Sequence, residues 1–86
     1  MFKIYLTRDA EATYRWLQDR DFRLWQRIRL ALDGLRTDPR QGKLLKGAFR
    51  GDYSLRVGSY RIIYTVEHRI LTVIVIDIGH RREIYR

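Results

Sequence analysis

The chain has 86 residues, enough for one small domain over residues 1–86 and too few for a second core or a large enclosed pocket. It has no cysteine, hence no disulfide and no thiolate ligand, and no apolar run nears the ~20 residues that cross a bilayer, so a cytoplasmic protein without a membrane partner is expected. Eighteen Lys and Arg against ten Asp and Glu leave a formal charge of +8, which points to a polyanionic partner, nucleic acid first, while a hydrophobic fraction of 45% excludes a disordered chain.

Phe2, Ile4 and Leu6 alternate with Lys3, Tyr5 and Thr7, which predicts a short half-buried strand. Thr7 then caps a helix from Arg8 to about Gln18, with Ala10, Tyr14 and Leu17 at helical spacing and acids in the first turn. Asp19 to Asp21 is a polar break, and Asp21 caps a second helix. Phe22, Trp25, Ile28, Leu32 and Leu35 form its apolar stripe, and Pro39 stops it. The pair reads as a helical hairpin packed on one face of a sheet, with Trp16 and Trp25 both in the core. Arg8 to Asp38 mixes charges of both signs, the pattern of a solvated helical surface.

Asp38 to Gly51 lacks periodicity and contains Gly42, Gly47 and Gly51, so it reads as a loop. Its GKLLKG segment allows two accounts. Either the leucines pin the loop and the lysines sit in water, or Lys43 and Lys46, with Arg50, contact phosphates. The glycine spacing and terminal Lys-Ser/Thr of a nucleotide-binding loop are absent.

Three strands follow, at about Tyr53 to Val57, Tyr60 to Val66 and Ile70 to Ile76. Gly58-Ser59 suits a two-residue turn, which pairs Val57 with Tyr60 and Arg56 with Arg61. Like charges directly opposite each other destabilise a sheet, so this pair is read as an anion site. Tyr53, Leu55, Val57, Tyr60, Ile62, Tyr64 and Val66 share the face toward the helices. Ser54, Arg56, Arg61, Ile63 and Thr65 share an opposite, open face. Glu67-His68 turns the chain, and His68 reads as a surface residue. The third strand is apolar on both faces, hence central, and the first strand is its candidate parallel neighbour. The expected fold is α+β, a small antiparallel-dominated mixed sheet against an N-terminal helical hairpin in the order β-α-α-β-β-β.

The last residues, GHRREIYR, leave the sheet at Gly79. Folded back along the arginine face, they bring Arg81 to Arg56 and Arg61 around one phosphate, Tyr85 to a base, and His80 within reach of a proton. On RNA this set permits attack of the ribose 2′-hydroxyl on the adjacent phosphorus without a metal or other cofactor. No clustered His/Asp/Glu set reads as a metal site. Arginine holds its proton above pH ~12 and serves better as a clamp than as a base, whereas histidine, titrating near ~6.5, suits proton transfer, with Glu83 a weaker alternative. Each residue has a structural alternative. Arg81 and Arg82 can pair with Glu83 or Asp77, Tyr85 can plug the core, and His80 can be an exposed strand-end residue.

LRVGSYRIIY followed by GHRREIYR resembles the RelE/ParE superfamily of toxins, and its RelE branch in particular, across essentially the whole chain. The resemblance implies the toxin of a type II toxin-antitoxin system. Such a toxin is a ribosome-dependent endoribonuclease that cuts mRNA in the ribosomal A site, is neutralised by a cognate antitoxin, and reaches operator DNA through that antitoxin. It assigns Arg61 and Arg81 to phosphate stabilisation, Tyr85 to substrate placement and Arg56 to a second basic strand position; Arg82 is read from its charge beside them as a further RNA contact. Ser54 stands where the best-known pattern has a basic lysine, and His80 can compensate. A ParE-like inhibitor of DNA gyrase and a catalytically silent antitoxin-binding partner are the alternatives.

Overall fold

The computed structural model describes residues 1–47 and 50–80. Its elements are β1 (Lys3–Leu6), α1 (Arg8–Arg20), α2 (Phe22–Leu35), β2 (Lys43–Leu44), β3 (Tyr53–Val57), β4 (Tyr60–Glu67) and β5 (Thr72–His80). The strands form one sheet in the order β1-β5-β4-β3-β2. β1 runs parallel to β5, and the other pairings are antiparallel. The expected order therefore stands, with a two-residue edge strand added. Among the described residues no helix is long and apolar enough to cross a membrane.

Local chemistry explains the helix boundaries. Thr7 Oγ1 accepts the Ala10 N–H at 3.3 Å, which caps α1. Asp21 closes α1 by donating its N–H to Leu17 O at 2.8 Å, and its Oδ1 accepts the Leu24 N–H at 3.2 Å to open α2. The break between the helices thus narrows from three residues to one. α2 ends before Pro39 acts, because the Arg36 N–H bonds Asp33 O at 3.1 Å and the Asp38 N–H bonds Gly34 O at 3.1 Å, tightening the last turn.

The core lies between the hairpin and one sheet face. Ala10, Leu17, Ile28, Leu32 and Leu35 meet Val57, Ile62, Tyr64, Val73, Val75 and Ile78 there. The tryptophans depart from expectation. Trp16 sits beside the Ala10–Tyr14–Leu17 stripe and is 50% exposed, with the Arg20 guanidinium 5.6 Å from its ring centroid. Trp25 is half-buried between Tyr14 and Phe22, at ring distances of 5.5 and 5.3 Å. Phe22, at the first position of α2, is 53% exposed.

The expected loop contains β2, in which Lys43 pairs with Ser54 and Leu44 with Tyr53. Gly42 allows this approach. Its N–H donates to Tyr64 Oη at 3.0 Å, and an added Cβ would stand 2.6 Å from that oxygen.

The last strand is displaced from the expected Ile70–Ile76. Residues 68–71 form a turn instead, closed by the Leu71 N–H to His68 O at 3.3 Å, and Ile70 and Leu71 are exposed. Leu71 has φ +48°, a left-handed conformation that costs a branched L-residue about 1–2 kcal/mol. Leu71→Gly is expected to raise stability by about 0.5–1 kcal/mol, because the relief exceeds the added freedom of the unfolded chain. Urea unfolding checks this, and a loss of stability would contradict it.

Gly79 and His80 remain in β5, correcting the expected exit at Gly79. A β-bulge accounts for the shift. Ile63 pairs with Asp77 and Tyr64 with Val75, so Ile76 is an extra residue. Thr7 anchors this bulge as well as α1. Its N–H donates to Val75 O at 3.0 Å and its hydroxyl to Ile76 O at 2.7 Å.

Candidate nucleic-acid interface

The β3–β4 hairpin has the expected register, with Val57 opposite Tyr60, Arg56 opposite Arg61 and Leu55 opposite Ile62. Gly58 supplies the left-handed backbone of the turn, at φ +61°. Residues directly across a sheet share a face, so the pairings define rows on the side away from the helices. One row is Arg56, Arg61 and Gly79. The next is Lys43, Ser54, Ile63 and Asp77.

This far face is not the open surface expected from sequence. Ser54 is 5% exposed and Ile63 1%, so the second row is closed at its centre. Arg56 is exposed, and its Nε donates to Gly58 O at 3.3 Å, which draws the guanidinium toward the turn. Arg61 is half-buried and its Nε is shielded from solvent. Gly79 places no side chain beside it. Gly79 is itself buried, and the two guanidinium groups in its row, Arg56 exposed and Arg61 half-buried, suit a planar or tetrahedral oxyanion.

The remaining sequence-predicted residues divide. Lys43 is exposed at the sheet edge and joins the far face through Ser54. Lys46 and Arg50 are exposed in the following loop, where they border a shallow cavity of 350 Å³ with Leu44 and Gly51, separate from the arginine row. His80 lies across the sheet from the arginines. It pairs with Tyr60, shares a face with buried Ile78, and sets its ring edge-on to Tyr60 at 5.8 Å. Arg81, Arg82 and Tyr85 fall outside the described residues.

Arg27 escaped the sequence reading, and Asp77 entered it only as an ion-pair partner for Arg81 or Arg82. Arg27 of α2 reaches the hairpin turn, since a Cβ on Gly58 would stand 3.4 Å from its Nη1. It adds a third guanidinium near the turn that Arg56 touches. Its sequence neighbourhood suggested only a solvated helix, and helix-to-turn proximity leaves no periodic trace. Asp77 is a half-buried carboxylate that the bulge turns to the arginine side. Ion pairs Arg15–Glu11, at 3.4 Å, and Arg36–Asp33, at 3.5 Å, occupy the exposed helical surface instead. Among the described residues no group of three or more His, Asp or Glu could hold a metal ion.

Comparison with known proteins places this fold. Residues 4–85 match the family model of the ParE toxin of type II toxin-antitoxin systems. Toxin RelG of Mycobacterium tuberculosis is 35% identical over 60 residues, covering 69% of each chain. The YoeB/ParE toxin from Agrobacterium tumefaciens superposes with a TM-score of 0.85 at 24% identity, over 93% of this chain and 99% of that one. The heterotetrameric YoeB-YefM toxin-antitoxin complex from Staphylococcus aureus gives a TM-score of 0.80 at 20% identity, over 94% and 98%. The chain belongs to the RelE/ParE/YoeB superfamily of type II toxin-antitoxin toxins, on its RelE-like branch.

Proposed function

We infer that this toxin is an endoribonuclease that cuts mRNA in the ribosomal A site by attack of a ribose 2′-hydroxyl on the adjacent phosphate. The observation that carries the reading is the Arg56–Arg61 cross-strand pair beside Gly79, a like-charge arrangement that a folding role does not explain. Arg61 and, by resemblance, Arg81 stabilise charge on the phosphoryl oxygens. Tyr85 places the base by stacking. Arg56, with Lys43, Lys46, Arg50 and Arg82, holds the RNA backbone. Ser54 is too enclosed for more than a minor contact. His80, on the Tyr60 side of the sheet, supports the strand end rather than the phosphate site.

A cognate antitoxin is the protein partner, and it links the toxin to operator DNA. The fold shared with the toxin of the YoeB-YefM complex supports this. So does the charge of +8, which suits an acidic antitoxin segment whose binding masks the basic face. Both partners belong to the cytoplasm.

The ParE description of the matching family model favours one other reading, inhibition of DNA gyrase by binding alone. Primer extension on translated messages and a supercoiling assay with purified gyrase separate the two. New 5′ ends in the message with unimpaired supercoiling are expected. Gyrase inhibition without RNA ends would reverse the choice.

A further inference from the structure

We propose that the groove between α1 and the end of the sheet takes one unpaired base of the message, stacked on Trp16, next to the phosphate held at Arg61. The inference rests on the RNA-cleavage reading above and adds a second base contact to it.

Core packing does not account for Trp16. In α1 that role falls to Ala10, Tyr14 and Leu17, and Trp16 stays 50% exposed. It stands about 100° round the helix from Leu17, which turns the indole to one flank of α1. Arg20, one turn later, lies with its guanidinium 5.6 Å from the ring centroid, which holds the indole and sets a cation beside it.

The indole borders a groove. Ala12, Thr13 and Trp16 of α1 face Tyr60, Ile78 and Gly79 across a cavity of 440 Å³, within the roughly 300–1,000 Å³ of ligand sites. Ile78 and Gly79 are buried beneath it, half-buried Tyr60 is its second aromatic, and the short side chains of Ala12 and Thr13 leave its α1 side unfilled. Among the described residues no carboxylate lines it. Two aromatic rings with a guanidinium alongside and no acid suit a nucleobase, whose flat face stacks on the rings while its phosphates meet no repulsion. An aliphatic side chain from a protein partner would gain from burial alone and leave the ring faces unused.

The groove adjoins the arginine row. Tyr60 precedes Arg61 in β4, and Gly79, opposite Arg61, belongs to both the row and the groove. Tyr60 and Arg61 point to opposite faces, and Tyr60 opens β4 where its partner His80 closes β5. RNA therefore passes from one to the other round the end of the sheet, with the base beside the Arg61 phosphate turned in toward Trp16.

Stacking has a signature that phosphate contacts lack, because it needs the base and is indifferent to salt. The test uses the full chain on ribosomes carrying a defined message with a 2′-deoxy residue at the cut, so that binding is measured without cleavage. An abasic residue is placed in turn at each position flanking the cut. At one position, removing the base is expected to weaken binding by the parent about 5–150-fold. Trp16→Ala should show that loss with the base present and no further loss on its removal, and its salt dependence should match the parent's. Trp16→Phe should keep most of the parent's affinity. Trp16→Leu, which retains apolar bulk if the alanine variant fails to fold, should behave as Trp16→Ala. Base sensitivity that persists at every position in these two variants overturns the proposal while leaving the cleavage reading intact. So does a Trp16→Ala protein that binds the message like the parent but escapes neutralisation by the cognate antitoxin, which would make the groove a protein-docking site. A parent that cuts no message on ribosomes removes the cleavage reading and this proposal with it.

Discussion

Arg61→Ala is expected to lower cleavage of ribosome-bound mRNA by about 10²–10³-fold, the usual cost of removing one donor aimed at developing oxyanion charge. Arg61 is half-buried, its Nε is shielded from solvent, and Gly79 beside it adds no side chain, so a phosphoryl oxygen at its guanidinium is only partly screened by water. Removing it also relieves its repulsion with Arg56, so stability is expected to stay within about 1 kcal/mol of the parent. Activity and stability thus separate. Arg61→Lys keeps the charge without the planar fork and should recover only part of the rate. Exposed Arg56 predicts a different profile. Arg56→Ala should weaken binding and reduce the salt dependence by roughly one single-strand phosphate contact, a slope change of about 0.7, with a smaller effect on the rate of bound RNA. Single-turnover rates and salt titrations measure these effects. An Arg61→Ala protein that cuts at the parent's rate would remove Arg61 from the transition state.

The arginine pair was legible in the sequence because its causes are local. Gly58-Ser59 sets the turn, alternation sets the face, and register follows from both. The parallel pairing of β1 with β5 was legible for a related reason. A strand apolar on both faces needs neighbours on either side, and the helical pair between β1 and β3 permits a parallel return. What stayed hidden depends on distant contacts. The bulge at Ile76 is held by Thr7, 69 residues earlier in the chain, and without it neither Asp77 nor Gly79 can be assigned to a face. β2 exists because Gly42 can approach Tyr64, and two residues of strand carry no alternation to read. Trp16 misled because residue type suggested core, while its position beside the Ala10–Leu17 stripe turned it outward against Arg20.

Tyr64 is the side chain on which the sheet beneath this site depends, and Tyr64→Ala is expected to cost about 3–5 kcal/mol, by analogy with other large aromatic truncations. The ring is fully buried on the helix-facing side of the sheet, and it stacks on Tyr53 at 5.3 Å with a 12° interplanar angle. A loss of that size is a large part of the ~5–15 kcal/mol typical of a whole domain, so the variant should be partly unfolded at 37 °C. Tyr64→Phe tests the hydroxyl alone. It leaves the Gly42 N–H without its acceptor, which should cost about 1 kcal/mol and loosen β2, and with it Lys43 at the rim of the arginine face. The hydroxyl also sets an alkaline limit. Burial raises the Tyr64 pKa above the ordinary phenol value, against a smaller lowering by the Gly42 hydrogen bond. The folded state then holds this proton more tightly than the unfolded chain does. Its contribution is fully present below pH ~10 and is lost as pH rises from there through the folded pKa, because the unfolded state ionises first. Tyr14, also raised by burial, acts in the same direction. Tyr64→Phe should therefore be less stable than the parent at pH 7 yet lose less stability between pH 9 and pH 11. Urea midpoints at both pH values measure this, and parallel losses in the two proteins would show that the Tyr64 hydroxyl does not couple to folding.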